Sequence, residues 1–201
     1  MSNNTDAATQ MDSNIHILEN YISEEDADLF LSYIKENYLD RDKFPMTRGE
    51  RDYGRLRHEA NIPETVPLSQ HMTQIELIKK YSEKVINTFK DLYGDEELYI
   101  SAFWMTMLGK DTRLPYHVDN HVGAEHLFRS AVIYLNEDYD GGSIQFERNN
   151  FLYQPVKYSA IFFPSKYSHR INIVSDGIRF ALPIWASVEE KFDIFKENDN
   201  G

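Results

Sequence analysis

The chain has 201 residues, 41% of them hydrophobic, with 33 acidic against 21 basic side chains and a formal net charge of −12. That length can bury one good core, and the acidic balance argues against a surface that neutralises nucleic-acid phosphates or anionic membranes. With no cysteine, disulfides, thiolate ligands and cysteine nucleophiles are ruled out, so any metal must be held by His, Asp and Glu.

Residues 1–14 are small and polar and predict a disordered tail. They lack the basic and apolar regions of a signal peptide, and no apolar run reaches membrane-spanning length. The expectation is a soluble, cytoplasmic, single-domain protein, with its domain over 15–192 and a C-terminal tail over 193–201. A helix is predicted from Ser23, with Asp26 completing an imperfect capping box and Leu29, Phe30, Tyr33, Ile34 and Tyr38 on one face. A second is predicted from about Leu68 to Tyr93, ended by Gly94, with a stripe of Ile78, Tyr81, Val85, Phe89 and Leu92. Between them, residues 44–60 carry Arg48, Arg51, Arg55 and Arg57 in an otherwise acidic protein. This segment reads either as a solvated loop or as a substrate-binding lid.

From Tyr99 the texture changes to short β-type runs: YISAFWMTML, SAVIYLN, GSIQFE, FLYQPV, AIFFP, RINIV and IRFALPIWA, with DYDGG at 138–142 as a strong turn. Seven short strands after two helices predict a mostly β, α+β fold. Its core would be a two-sheet jelly roll (a double-stranded β-helix) buttressed by helices.

YHVDNHVG at 116–123 places His117 and Asp119 at i and i+2, the same face if the segment is a strand. His169, at the junction of two apolar runs, is the candidate third ligand. Two His and one carboxylate make the facial triad of non-haem Fe(II) oxygenases, with coordination positions left open. Arg179 opens the last apolar strand, where a guanidinium is costly unless it meets an internal carboxylate or a ligand anion. A planar guanidinium suits the distal carboxylate of 2-oxoglutarate. His121 and His126 read as rim residues, because Asn120 and Gly123 predict a turn before them.

The stretch from His117 to Trp185 resembles the prolyl 4-hydroxylase branch of the Fe(II)/2-oxoglutarate-dependent dioxygenases. The resemblance rests on HVDN (117–120), YLN (134–136), the glycine pair at 141 and 142, Pro155, the strand before His169, and the ending Arg179-x₅-Trp185. It covers about the C-terminal half of the chain, with the motifs inside 99–187. It implies Fe(II) held by His117, Asp119 and His169, with 2-oxoglutarate and O₂ as co-substrates and ascorbate as a candidate reductant. Arg179 would grip the distal carboxylate, supported by Tyr134. Ser130 sits where a threonine often lines the same pocket, and Trp185 matches a tryptophan beside the metal. Core packing is the competing reading of Tyr134 and Trp185. Arg55, Arg57 and Tyr116 are the substrate-contact candidates.

The implied reaction hydroxylates a C–H bond, with release of succinate and CO₂ and no catalytic residue beyond the metal site. Asp119 favours hydroxylation, since related halogenases lack this carboxylate. The expected substrate is a peptidyl prolyl or other peptidyl residue of a peptide or protein; a free amino acid or small metabolite is the alternative. Two departures bear on a prolyl substrate. Met107 or Thr106 stands near a place where the family often has tyrosine, and Pro183 suggests an edge or bulge in the last strand. The rivals fare less well. A nucleic-acid demethylase would need a second arginine near Trp185, and a non-catalytic jelly-roll module would need no intact triad. A zinc hydrolase using His117, Asp119 and His121 or His126 would leave His169 and Arg179 unexplained. Zinc or manganese held without redox activity at the same triad stays open.

Overall fold

The computed structural model describes residues 12–38, 55–59 and 72–196. Helix α1 (Glu24–Tyr38) begins where the sequence predicts, its Asp26 N–H donating to the Ser23 hydroxyl at 3.2 Å. The reciprocal half of the capping box does not form. The Asp26 carboxylate instead accepts hydrogen bonds from Lys80 Nζ and Tyr81 Oη, each at 2.6 Å, and so ties α1 to α2 (Met72–Tyr93). Helix α2 buries Ile78, Tyr81, Val85 and Phe89 at the predicted three-and-four spacing. Gly94, at φ +71°, lets the chain leave the helix in the left-handed conformation. The predicted start of α2 at Leu68 lies outside the described residues.

Twelve strands are described. The first six are β1 (His16–Leu18), β2 (Arg55–Glu59), β3 (Tyr99–Leu108), β4 (Leu114–His117), β5 (Leu127–Tyr134) and β6 (Tyr139–Gly141). The rest are β7 (Ile144–Phe146), β8 (Leu152–Tyr153), β9 (Ala160–Pro164), β10 (His169–Ile171), β11 (Val174–Gly177) and β12 (Arg179–Ser187). They form a six-stranded sheet in the order β1-β9-β5-β12-β3-β2, a four-stranded sheet β4-β10-β7-β8, and the pair β11-β6. The ladders are antiparallel, and the two main sheets face each other as a jelly roll.

The large sheet separates two interiors, and side-chain alternation assigns each residue to one of them. Along β12, Phe180, Leu182, Ile184 and Ala186 pack toward the helices with Phe30, Tyr81, Val85 and Phe89. Their neighbours Arg179, Pro183 and Trp185 line a cavity on the opposite face. The same parity sends Met105 and Met107 of β3 to the helical side, and Trp104 and Thr106 to the cavity. Each large side chain buried on the helical side contributes about 1.5–3 kcal/mol. That layer fixes the sheet whose other face holds the site.

Several sequence expectations change. RINIV is not one strand: β10 ends at Ile171, and β11 starts at Val174 to pair with β6. FLYQPV contributes only Leu152–Tyr153. Part of the 44–60 segment is strand rather than loop, because Arg55–Glu59 pairs with β3 at the edge of the large sheet; residues 44–54 lie outside the described residues. Pro183 marks no edge. Strand β12 runs between β5 and β3, and Pro183, which has no N–H to donate, pairs with Val132 while the β3 register passes over Leu182 and Pro183. Contacts are also made near both ends of the described residues. Asp12 is buried and ion-paired with Arg148, and the Ile194 N–H donates to the Ile100 carbonyl at 2.9 Å. No helix among the described residues is long and apolar enough to cross a membrane.

Candidate active site

Strand β10 pairs with β4 so that His169 lies directly opposite His117, although 52 positions separate them in sequence (169 − 117). The two rings lie 4.4 Å apart between centroids. Asp119 joins them by a different route from strand alternation. Strand β4 ends at His117, and the chain then bends, anchored by the Asp119 and Asn120 N–H groups donating to the Ser165 carbonyl at 3.0 and 3.3 Å. The bend places Asp119 Oδ1 3.7 Å from His117 Nε2 and 3.9 Å from His169 Nε2. The three ligand-type atoms lie within 4.8 Å of one another.

Both imidazoles are held in the form that a metal requires. His117 Nδ1 lies 2.8 Å from the Pro115 carbonyl, and His169 Nδ1 lies 2.9 Å from the Tyr167 carbonyl. A carbonyl can only accept, so the neutral ring keeps its proton on Nδ1 and presents the Nε2 lone pair inward. Asp119 and His169 are buried, whereas the His117 side chain is 36% exposed and marks the open side. Two neutral nitrogens and one carboxylate oxygen fit a divalent first-row metal such as Fe(II).

Deeper in the same cavity, which measures about 560 Å³, lies Arg179 at 2% exposure. Its guanidinium sits 4.9 Å above the Tyr134 ring, and its Nε has no hydrogen-bond partner. The buried hydroxyls of Tyr134 and Tyr139, both close to that guanidinium, likewise make no hydrogen bond of standard geometry, and their protons are free to be donated. Burial pushes both phenols above their ordinary pKa, and the nearby guanidinium partly offsets this. A buried cation beside two neutral donors, all with unspent hydrogen-bonding capacity, suits a carboxylate. Gly142 makes room for this cluster. A Cβ there would stand 3.0 Å from the Tyr139 ring and 3.1 Å from Arg179 Cδ, and the residue's φ of +65° disfavours other side chains. Asn136 brackets the same arginine from behind. Its Oδ1 accepts the Phe180 N–H at 2.8 Å, and its Nδ2 donates to the Ile178 carbonyl at 2.8 Å.

Other predicted residues fall in different places. Trp185 lines the cavity, edge-on to Trp104 at 4.6 Å. Thr106, rather than Met107, faces inward, its hydroxyl donating to the Ala181 carbonyl at 3.1 Å. Ser130 does not join the Arg179 cluster. Its hydroxyl donates to Asp119 Oδ2 at 2.6 Å, behind the triad. Tyr116 is exposed and is not part of the cavity lining; Arg170 lies over its ring at 4.8 Å. The backbones of Arg55 and Arg57 lie opposite Leu108 and Thr106. His121 and His126 are loop residues that line the cavity mouth; His126 stacks on Phe192 at 3.8 Å. Three residues of the site, Tyr139, Asn136 and Ser165, carry no functional signal in the sequence. The first stands in a turn motif, the second has only its place in YLN, and the third carries no local signal.

Comparison with known proteins agrees with this geometry. Residues 103–187 match the model of the 2OG-Fe(II) oxygenase superfamily. No curated protein matches the chain in sequence. Among solved structures, the viral collagen prolyl hydroxylase from Paramecium Bursaria Chlorella virus-1, in its 2OG complex, is similar with a TM-score of 0.64 at 14% identity, over 88% of this chain and 97% of that one. A Pseudomonas putida prolyl-4-hydroxylase is similar with a TM-score of 0.63 at 15% identity, over 88% and 93%. The prolyl hydroxylase from Trichoplax adhaerens, in complex with a hypoxia inducible factor oxygen degradation domain peptide fragment, gives a TM-score of 0.68 at 14% identity, over 92% and 88%. At these identities the likeness is one of fold. The superfamily match over residues 103–187, the His–Asp–His cluster within it and the shared prolyl 4-hydroxylase fold together support a 2-oxoglutarate-dependent dioxygenase.

Proposed function

We propose that this dioxygenase hydroxylates a C–H bond of a peptidyl residue, prolyl in the first instance, converting 2-oxoglutarate and O₂ to succinate and CO₂. The observation that carries the reading is the pairing, in one cavity, of the His117–Asp119–His169 cluster with a buried, unsatisfied Arg179. The iron, when bound with 2-oxoglutarate, would supply O₂ activation, so that one oxygen atom enters succinate and the other the substrate. His117, Asp119 and His169 would hold the metal and leave positions open. Arg179 would take the distal carboxylate bidentately, with the Tyr134 and Tyr139 hydroxyls as further donors. Trp185 and Trp104 would form an apolar wall that excludes water from the reacting centre.

A peptidyl substrate is supported by the exposed His117 edge and by the shared fold with a hydroxylase whose structure contains a peptide. Tyr116, beside His117 on β4, and Arg55 and Arg57 on the edge strand are the proposed contacts for an extended segment. The test is a succinate-release screen of Fe(II)-loaded protein over proline-rich peptides and free amino acids, with mass detection of a gained oxygen. We expect a gain of one oxygen on a peptide. Turnover with an amino acid and with no peptide would replace the peptidyl reading with that of a small-molecule hydroxylase.

A further inference from the structure

Asp119 has two carboxylate oxygens in different surroundings. Oδ1 faces both imidazole Nε2 atoms, at 3.7 and 3.9 Å. Oδ2 points the other way and accepts the Ser130 hydroxyl at 2.6 Å. Ser130 Oγ lies in turn 2.8 Å from Ser165 Oγ. A serine hydroxyl has one proton, and Ser130 has given its own to the carboxylate, so Ser165 must be the donor in the second bond. The result is a one-way relay, Ser165 to Ser130 to Asp119, in which each bond polarises the next. Ser130 is 1% exposed and Ser165 is fully buried, so water does not compete for either bond.

Ser165 grips the same aspartate a second time, because its backbone carbonyl accepts the Asp119 N–H at 3.0 Å. Its own N–H donates to the Phe128 carbonyl at 3.1 Å, which fixes it to the base of β5. The aspartate lies in a bend beyond the end of β4, where no strand ladder orients its side chain.

We infer that the Ser165–Ser130 relay is a positioning device for the proposed metal site: it occupies Oδ2 and so dictates that Asp119 binds the metal through Oδ1 alone. This rests on the metal reading of the triad. Single-oxygen ligation keeps a coordination position open that a two-oxygen carboxylate would fill, and a co-substrate that chelates needs that position. Ser130 therefore serves the metal rather than the co-substrate. Tyr134, four residues further along the strand and about 13 Å away, stands at the opposite end of the cavity, beside Arg179.

The experiment uses the full chain stripped of metal and titrated with Mn(II) and with Co(II), following affinity by calorimetry and coordination by Mn(II) EPR and the Co(II) visible spectrum. Ser130→Ala should bind Mn(II) about 10–100-fold more weakly than wild type, the usual cost of losing an outer partner of a metal ligand. Its Co(II) spectrum should shift to that of a higher coordination number. Ser130→Thr, which keeps the hydroxyl, should restore both readings, and Ser165→Ala should fall between. Thermal denaturation of the metal-free variants separates a general loss of folding from this effect. If Ser130→Ala proves unfolded, Ser165→Ala carries the test, since it keeps the direct donor and breaks only the relay. Wild-type affinity and an unchanged Co(II) spectrum in the tested alanine variant would overturn the relay alone. Failure of wild type to bind either ion would overturn the metal reading and the relay with it.

Discussion

Asp26, between the two helices, and Arg179, between the two sheets, are both buried charges, at 7% and 2% exposure. Asp26 is closed: Lys80, Tyr81 and the Ser23 hydroxyl with its helix N-terminus surround it, and Tyr81 gives its proton to the carboxylate. Arg179 is open, with an unpartnered Nε beside two phenols whose protons are free to be donated. A buried polar group left unsatisfied costs about 1–3 kcal/mol, more when charged. A folded chain tolerates a cluster of them where a ligand completes the set. The contrast is between a charge whose hydrogen bonds tie two helices together and one that the proposed function assigns to a ligand.

The largest effects belong to the open side. His169→Ala removes one of the three proposed metal donors and should abolish succinate formation, with metal affinity falling to background in the same preparation. Arg179→Ala should raise the 2-oxoglutarate KM about 100-fold, on the scale of the roughly 2–5 kcal/mol lost when one partner of a buried charge pair is truncated. Its kcat at saturating co-substrate should fall far less. From the closed side, Asp26→Ala should lower the unfolding free energy by about 1–3 kcal/mol, measured by urea denaturation, and leave the 2-oxoglutarate KM unchanged. Tyr139→Phe removes one neutral donor, worth about 0.5–1.5 kcal/mol, and should raise that KM by a few-fold, measured by initial rates.

The smallest effect is a pH dependence. Burial alone would raise the Asp26 carboxyl, but the hydrogen bonds from Lys80, Tyr81 and Ser23 hold it below its ordinary value of 3.8. A depressed folded-state pKa contributes stability that is present above 3.8 and lost as pH falls through the lower folded value. Acid titration of stability should therefore decline below about pH 4, and Asp26→Asn should flatten that part of the curve. An equal slope in both proteins would show that these hydrogen bonds do not hold the Asp26 carboxyl down.

The parts of the site that depend on local pattern were legible in the sequence. His117 and Asp119 stand two apart, and Arg179 is conspicuous in an apolar strand. What depends on register was not. Opposition of His169 to His117 is a property of β10 against β4, and the bend carrying Asp119 is set by a carbonyl at residue 165. Ser130 shows the difference most clearly. Its parity on β5 matches that of Tyr134, which suggested a shared pocket, but its register opposite Trp185 and Phe163 puts it behind the aspartate. Tyr139 was hidden for another reason: within DYDGG it reads as turn punctuation, although the glycine at 142 is what gives its ring and Arg179 their space. In the fold, the long strands and both helices followed periodicity. The three-residue strands β1, β6, β7 and β10 and the edge strand β2 exist through their partners; of these, only β7 and part of β10 fall inside a recognisable run.

The central claim is that Arg179 is an open charge completed by the distal carboxylate of 2-oxoglutarate. Calorimetry on Mn(II)-loaded protein, comparing 2-oxoglutarate with 2-oxobutyrate, which lacks that carboxylate, tests it directly. Wild type should prefer 2-oxoglutarate by about 100-fold, corresponding to roughly 2–5 kcal/mol for a buried charge pair, and Arg179→Ala should bind the two ligands nearly alike. An Arg179→Ala protein that keeps the wild-type preference would contradict the account.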